Sequence, residues 1–217
     1  MLRVARKKTL CNVLGPGTRS VIWFYGCSKR CLGCIAKTMN ETDEYELYTP
    51  EQLAEWVFSN DRVEGRIEGV TLSGGEPFEQ PADLLGQFLE IVRRNSKLSV
   101  LSYTGYRYEQ LNKDEKNHVT LQYVDVLIDG EYRIDQDSGT LWRGSANQRF
   151  HFLTKRYRSE AEVWNSTFER PVEIELDLQG KLLVSGVPSK EFIDKLTTEL
   201  HKRGVDTDFS QYSTSSK

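Results

Sequence analysis

The sequence predicts an α/β protein built on a parallel sheet, open or partly closed into a barrel, with a small hairpin-plus-helix extension at the C-terminal end. Three observations carry this expectation. From residue 20 to residue 132, short apolar, β-branched or aromatic runs alternate with amphipathic stretches at helical spacing, the pattern of right-handed βαβ units. The 217 residues are 38% hydrophobic and 28% charged, an ordinary composition for a globular chain large enough to hold one sizeable core. After about residue 156 the pattern changes to alternating side chains and a single capped helix. The expected organisation is therefore a core over residues 1–156 and an extension over residues 157–217.

The elements come in order along the chain. "SVIWFYG" (20–26) is a buried strand ending in glycine. "TPEQLAEWVFSN" (49–60) has a Thr cap, Pro at the first helical position, and Leu53, Trp56 and Val57 on one face, hence a helix. "IEGVTLSGG" (67–75) is a second strand running into paired glycines. "QPADLLGQFLEIVRRN" (80–95) is a helix with Leu84, Leu85, Phe88, Leu89 and Val92 as its apolar stripe. "KLSVLSYTG" (97–105) is the third strand, a short helical piece lies near 106–112, and "YVDVLIDGEY" (123–132) is the fourth strand. "VEIELDLQGKLLVSGVP" (172–188) predicts an antiparallel hairpin turning at Gln179–Gly180. "PSKEFIDKLTTELHKRG" (188–204) predicts an amphipathic helix, and the polar tail beyond it frays.

A formal charge of −3 makes no electrostatic case for nucleic acid or an anionic membrane as partner. The basic start "RVARKK" reads as a solvated edge. No apolar run approaches membrane-spanning length and no signal peptide precedes the first strand-like segment, so the expected compartment is the cytoplasm, where thiols stay reduced.

Chemistry gathers where such sheets concentrate it, at the carboxyl ends of the strands. Those ends carry "GCSKRCLGC", "SGGEP", "SYTGY" and "IDGEY". The first packs Cys27, Cys31 and Cys34 into eight positions, with the remaining cysteine, Cys11, on a strand-like approach outside the triplet. Several uses of three thiols compete: buried structural cysteines, a redox pair at Cys31–Cys34, zinc with Cys11 or a distant histidine as fourth ligand, and an iron–sulfur cube with one open corner. Gly74 and Gly75 allow a close backbone approach to a ligand. Glu76 follows them and Thr104 ends the third strand; taken alone, these are a glycine-rich strand-to-helix turn and an ordinary turn hydroxyl.

C-x3-C-x2-C after the first strand, with Ser-Gly-Gly-Glu-Pro after the second, resembles the radical S-adenosylmethionine (SAM) enzymes. "GPGTRSVIWFYGC" (15–27), "DVLIDGEY" (125–132) and "RGSANQR" (143–149) narrow the resemblance to the anaerobic ribonucleotide reductase-activating family, over about residues 10–155. This likeness implies an incompletely closed barrel of the radical SAM type. It implies a 4Fe-4S cluster on Cys27, Cys31 and Cys34, and SAM held by Gly33, Ile35, Ser73, Gly74, Gly75, Glu76 and Thr104. It further implies an activase that installs a glycyl radical on a partner enzyme, with electrons from a donor such as flavodoxin or ferredoxin. Arg143, Ser145, Asn147, Gln148 and Arg149 are then a surface for the partner's loop. Two rivals stand beside this expectation: a radical SAM enzyme acting on another peptide, protein or small molecule, and a non-catalytic cluster-binding adaptor. The chain departs from the family pattern at Gly33, where an aromatic that stacks on adenine is common, at Ala36, where Asn is common, and in continuing past the last shared motif.

Overall fold

The computed structural model describes residues 1–37, 39, 44–64, 67–137, 140–176, 178 and 182–205. The expected hairpin turn at Gln179–Gly180 and the polar tail beyond residue 205 lie outside the described residues.

Seven strands form one sheet in the order β3-β1-β2-β4-β5-β6-β7. They are β1 (Leu2–Cys11), β2 (Arg19–Phe24), β3 (Glu46–Tyr48), β4 (Gly69–Gly74), β5 (Ser99–Thr104), β6 (Val126–Asp129) and β7 (Arg149–Phe152). The four central strands, β2, β4, β5 and β6, are parallel, and they are the four that the alternating pattern predicts. β1, β3 and β7 add antiparallel pairs at the flanks. Among the described residues the sheet is open, with β3 and β7 at its edges.

Among the described residues, four helices connect these strands: α1 (Pro50–Glu64), α2 (Ala82–Asn95), α3 (Tyr108–Lys113) and α4 (Glu115–Leu121). At the start of α1 the Thr49 and Gln52 side chains each accept a hydrogen bond from the other's backbone N–H, the reciprocal cap that sets where a helix begins. Because the parallel strands stand in chain order, connections of one hand put every helix on the same face. Leu53 and Val57 of α1, Phe88 and Leu89 of α2, and Leu111 of α3 duly pack with Ile22, Phe24, Leu72 and Leu127 of the strands in one core. The opposite face presents Val21 and Trp23 in one apolar cluster. Leu101, Val126 and Ile128 join Trp142 and Trp164 in another.

One expectation gives way here. The basic start is not a solvated edge, since β1 lies between β3 and β2. Its cations are accommodated through their stems and charges: Arg6 lies over Trp23, Lys7 over Tyr48 and Trp56, and Lys8 pairs with Glu173. At the end of "RGSANQR", Arg149 begins β7 and pairs with Asp129.

At the amino-terminal end of the parallel strands sits Arg19, fully buried and, among the described residues, donating only to hydroxyls and carbonyls. Its Nε donates to Thr71 Oγ1 at 2.7 Å, and Nη1 donates to the Pro16 carbonyl (3.0 Å) and to Ser99 Oγ (2.9 Å). Nη2 donates to the carbonyls of Val70 (2.8 Å) and Ser99 (3.1 Å). The guanidinium thereby joins β2, β4 and β5. Gly69 leaves the room, since a Cβ there would stand 2.5 Å from Arg19 Nη1.

After β7 come α5 (Ala161–Ser166), the two-stranded hairpin β8 (Val172–Leu176) and β9 (Leu182–Gly186), and α6 (Lys190–Lys202). Ser189 caps α6 by accepting from Phe192 N at 3.1 Å. Of the helix's apolar stripe, Ile193 is buried and Phe192, Leu196 and Leu200 are half-buried, so the extension docks on the chain's own core.

The Arg19 geometry yields a stability prediction. Arg19→Lys keeps the charge but cannot serve five acceptors in a fixed fork. Urea unfolding should show a loss of about 3 kcal/mol, and an unchanged midpoint would show that the fork does not tie these strands together.

Candidate iron–sulfur and cofactor site

The chain leaves β2 through Gly26 and enters the cysteine loop. The turn at the end of β4 presses directly against that exit. Gly75 N donates to the Phe24 carbonyl and Glu76 N to the Gly26 carbonyl, both at 2.7 Å. A Cβ on Gly74, at φ +94°, would stand 2.5 Å from Phe24 N, and one on Gly75 would collide with the Gly26 carbonyl. The paired glycines thus admit the backbone of the cysteine loop itself, a reason for them that the sequence alone does not disclose.

Glu76 knots the rim together. Its carboxylate is buried and accepts from Phe78 N (3.0 Å), Thr104 Oγ1 (2.8 Å) and Gly105 N (2.7 Å). It ties the end of β4 to the end of β5. Burial pushes its pKa up to about 7, against the three hydrogen bonds that favour the charged form. Thr104 is engaged in the same knot, since its Oγ1 also accepts from Tyr106 N at 3.1 Å.

Glu79 holds the first half of the cysteine loop, accepting from Ser28 N at 2.9 Å and from the Tyr106 hydroxyl at 3.0 Å. Lys29 lies over the Tyr106 ring and pairs with Glu131 at 3.3 Å. The second half leans on the segment after β6. Gly33 has φ +74°, and a Cβ there would stand 2.8 Å from Ile134 Cδ1 and 3.5 Å from the Tyr132 ring. Tyr132 therefore brings an aromatic ring beside the position where the chain itself has glycine. No spacing in the sequence marks that residue, because it reaches the loop only through the fold.

One cavity of about 760 Å³ gathers these elements. Cys27, Cys31 and Cys34 line it, together with Gly33, Ile35, Ser73, Gly74, Gly75, Glu76 and Thr104. Cys11 does not; it is buried with Val13, Leu14, Val21 and Trp23. None of the three histidines lines the cavity either. Burial raises all three loop thiols, Cys27 to about 11, opposed by backbone N–H groups aimed at the sulfurs. Lys29 and Arg30 supply these at Cys27, Tyr132 at Cys31 and Ala36 at Cys34. Such N–H···S bonds stabilise metal-bound thiolates. Among the described residues no group of three or more His, Cys, Asp or Glu is gathered for a single metal ion. The donor set fits a cluster held at three corners: three thiols on one cavity wall, each met by backbone N–H.

The "RGSANQR" stretch is knotted inward. Ser145 is fully buried, and its Oγ accepts from Arg133 N and donates to Asn147 Oδ1. Gln148 Oε1 accepts from Gly144 N and Ser145 N, while Nε2 donates to the Gly130 carbonyl. Asn147 donates to the Glu131 carbonyl, Arg143 to the Gln148 carbonyl, and Arg149 pairs with Asp129 and Glu109. These polar groups fasten the segment after β6. Gln148 alone of the five lines the cavity.

A family model described as a 4Fe-4S single cluster domain matches residues 13–151. The anaerobic ribonucleoside-triphosphate reductase-activating protein of Enterobacteria phage T4 is 33% identical over 139 residues, covering 63% of this chain and 85% of the phage protein. Those of Vibrio cholerae serotype O1 and Escherichia coli strain K12 are 34% and 33% identical over 147 and 146 residues, each covering 65% of this chain and 92% of the relative. This chain belongs to that activating-protein family. The family model ends at residue 151, so α5, β8, β9 and α6 lie beyond it.

The Glu76 knot makes a pH prediction. A carboxyl whose folded pKa is raised from 4.5 to about 7 supports the fold fully below its unfolded pKa and loses that contribution as pH rises through the folded one. Unfolding free energy should therefore fall by about 3 kcal/mol between pH 4.5 and 7 through this group. Glu76→Gln should remove that slope, and parallel pH profiles for the two proteins would contradict the assignment.

Proposed function

We propose that this chain is a radical SAM activase that uses a 4Fe-4S cluster and SAM to install a glycyl radical on an anaerobic ribonucleoside-triphosphate reductase. The observation that carries this is the meeting of Cys27, Cys31 and Cys34 with Ser73, Gly74 and Gly75 in one cavity, in a chain whose relatives bear that activating name. When bound and reduced, the cluster supplies the electron that cleaves the S–C5′ bond of SAM, and the 5′-deoxyadenosyl group takes an α-hydrogen from the partner's glycine.

The chain's own residues then have distinct tasks. Cys27, Cys31 and Cys34 hold three corners, leaving the fourth open to the amino and carboxylate groups of SAM. Backbone at Gly33, Ile35, Ser73, Gly74 and Gly75 borders SAM, and the Tyr132 ring stands in for the stacking aromatic that Gly33 lacks. Glu76 and Thr104 fix the rim by holding the ends of β4 and β5 together. Gln148, which lines the cavity, is the member of the "RGSANQR" group nearest to an incoming loop, with Arg143, Ser145, Asn147 and Arg149 setting its position.

The sheet curves as an incompletely closed barrel in this reading, supported by the packing of α1, α2 and α3 on one face and a cavity on the other. Residues 157–217 form an appendage to that core. The electron donor is a small reducing protein such as flavodoxin or ferredoxin. The free thiols and the oxygen-sensitive chemistry suit the cytoplasm, and no helix of the described residues is long and apolar enough to cross a membrane.

Anaerobic reconstitution should give about four iron and four sulfide per chain. Replacing Cys27, Cys31 or Cys34 with Ala should abolish the chromophore, while Cys11→Ala should keep it. With dithionite and SAM the protein should release 5′-deoxyadenosine, and with an anaerobic ribonucleotide reductase it should produce a glycyl doublet by electron paramagnetic resonance. Cluster assembly with 5′-deoxyadenosine release but no doublet would move the substrate elsewhere. Stoichiometric zinc and no chromophore would end the proposal.

A further inference from the structure

The cavity is completed by a segment that lies beyond the family match. Leu182, Leu183, Val184, Val187, Pro188 and Ile193 line it on the side of β9 and α6. This wall is anchored at several points. Asp137 accepts from Arg170 Nη2 at 2.6 Å and from Lys190 N at 3.0 Å, and Arg170 Nη2 also donates to the Gly144 carbonyl at 2.8 Å. Lys8 pairs with Glu173 at 2.6 Å and with Glu175 at 2.9 Å. Val187 packs on the cluster formed by Cys11, Val13, Leu14, Val21 and Trp23.

Two residues lining the same cavity carry buried hydroxyls that have no partner among the described residues. Ser185 Oγ belongs to a residue only 2% exposed, and Tyr103 Oη is buried on the sheet face across from the helices. Burial raises the Tyr103 phenol far above its ordinary range, so it remains a donor. A buried hydroxyl without a partner contributes nothing to folding and carries a desolvation penalty. A ligand with its own polar groups would remove that penalty at both positions.

We propose that β9 is a working wall of the reaction cavity: Ser185, with Tyr103, hydrogen-bonds an uncharged polar group of the bound molecule, while Leu183, Val184, Val187 and Ile193 supply apolar contact beside it. This rests on the activase reading and adds a substrate preference to it. The polar group is a hydroxyl or an amide, which both the SAM ribose and the backbone of the partner's glycine segment carry.

Ser185→Ala and Tyr103→Phe remove the hydroxyls alone, and equilibrium dialysis of SAM against the reconstituted variants separates the two sources. A loss of SAM affinity of about three- to tenfold assigns the hydroxyls to the nucleoside. Unchanged SAM affinity with a similar fall in glycyl radical formed per 5′-deoxyadenosine released assigns them to the partner's segment. No change in either measurement overturns the proposal. Both variants should melt at or above the wild-type temperature, and a clear drop would assign the hydroxyls to folding instead. If no cluster assembles, the activase reading fails by itself, and the wall is still tested in the metal-free protein. There Leu183→Ala with Val187→Ala should speed iodoacetamide alkylation of Cys27, Cys31 and Cys34, while Ile174→Ala on the exposed strand should not. Equal rates for all three proteins overturn the wall.

Discussion

A single buried carboxylate draws three donors from two strand ends onto one point, and the geometry of the site depends on it. Glu76 receives Phe78 N, Thr104 Oγ1 and Gly105 N, while its own N–H reaches back to the Gly26 carbonyl. The end of β4 is thereby joined to the cysteine loop through backbone and to β5 through a side chain. Such an acceptor is strong because the surroundings exclude water, and it is demanding for the same reason. The three cysteines lie on a loop, the least rigid kind of element, and this knot connects them to the most rigid part of the fold. Glu79 and Lys29 extend the same principle to Ser28 and the loop's first half.

The opposite end of the sheet solves a related problem without any acid. Arg19 meets hydroxyl and carbonyl acceptors only, so its five donors are satisfied while its charge stays unpaired by contact. An ion pair there would fix one partner; the fork instead fixes three strands at once. Together Arg19 and Glu76 clamp both ends of the parallel core, and the cavity lies on the side of the sheet away from α1, α2 and α3.

Much of this was legible in the sequence, for identifiable reasons. The parallel strands are apolar on both faces, so their runs stand out, and the cysteine spacing is confined to one loop. β1 was hidden because its cations suggest solvent, whereas they lie along aromatic rings and acidic side chains of other segments. The Glu76 knot was not legible because a tetrapeptide does not say which neighbours its carboxylate will meet. "RGSANQR" drew notice as a cluster of polar side chains, but its partners are backbone groups at residues 130–133, which no local pattern reveals. Tyr132 was noticed only as the end of a strand motif and Ser185 not at all, since each reaches the cavity from an element distant in sequence.

The order of the strands has a consequence for how the protein is made. In β4, β5, β6 and β7 each strand pairs with the next one in the chain, so the sheet grows outward as synthesis proceeds and no strand must be threaded between two already in place. The cysteine loop and its glycine partners are complete well before β9 emerges. During that interval the site faces solvent on the side the extension later covers. Access, which metal delivery needs, and enclosure, which radical chemistry needs, are thereby assigned to different parts of one chain.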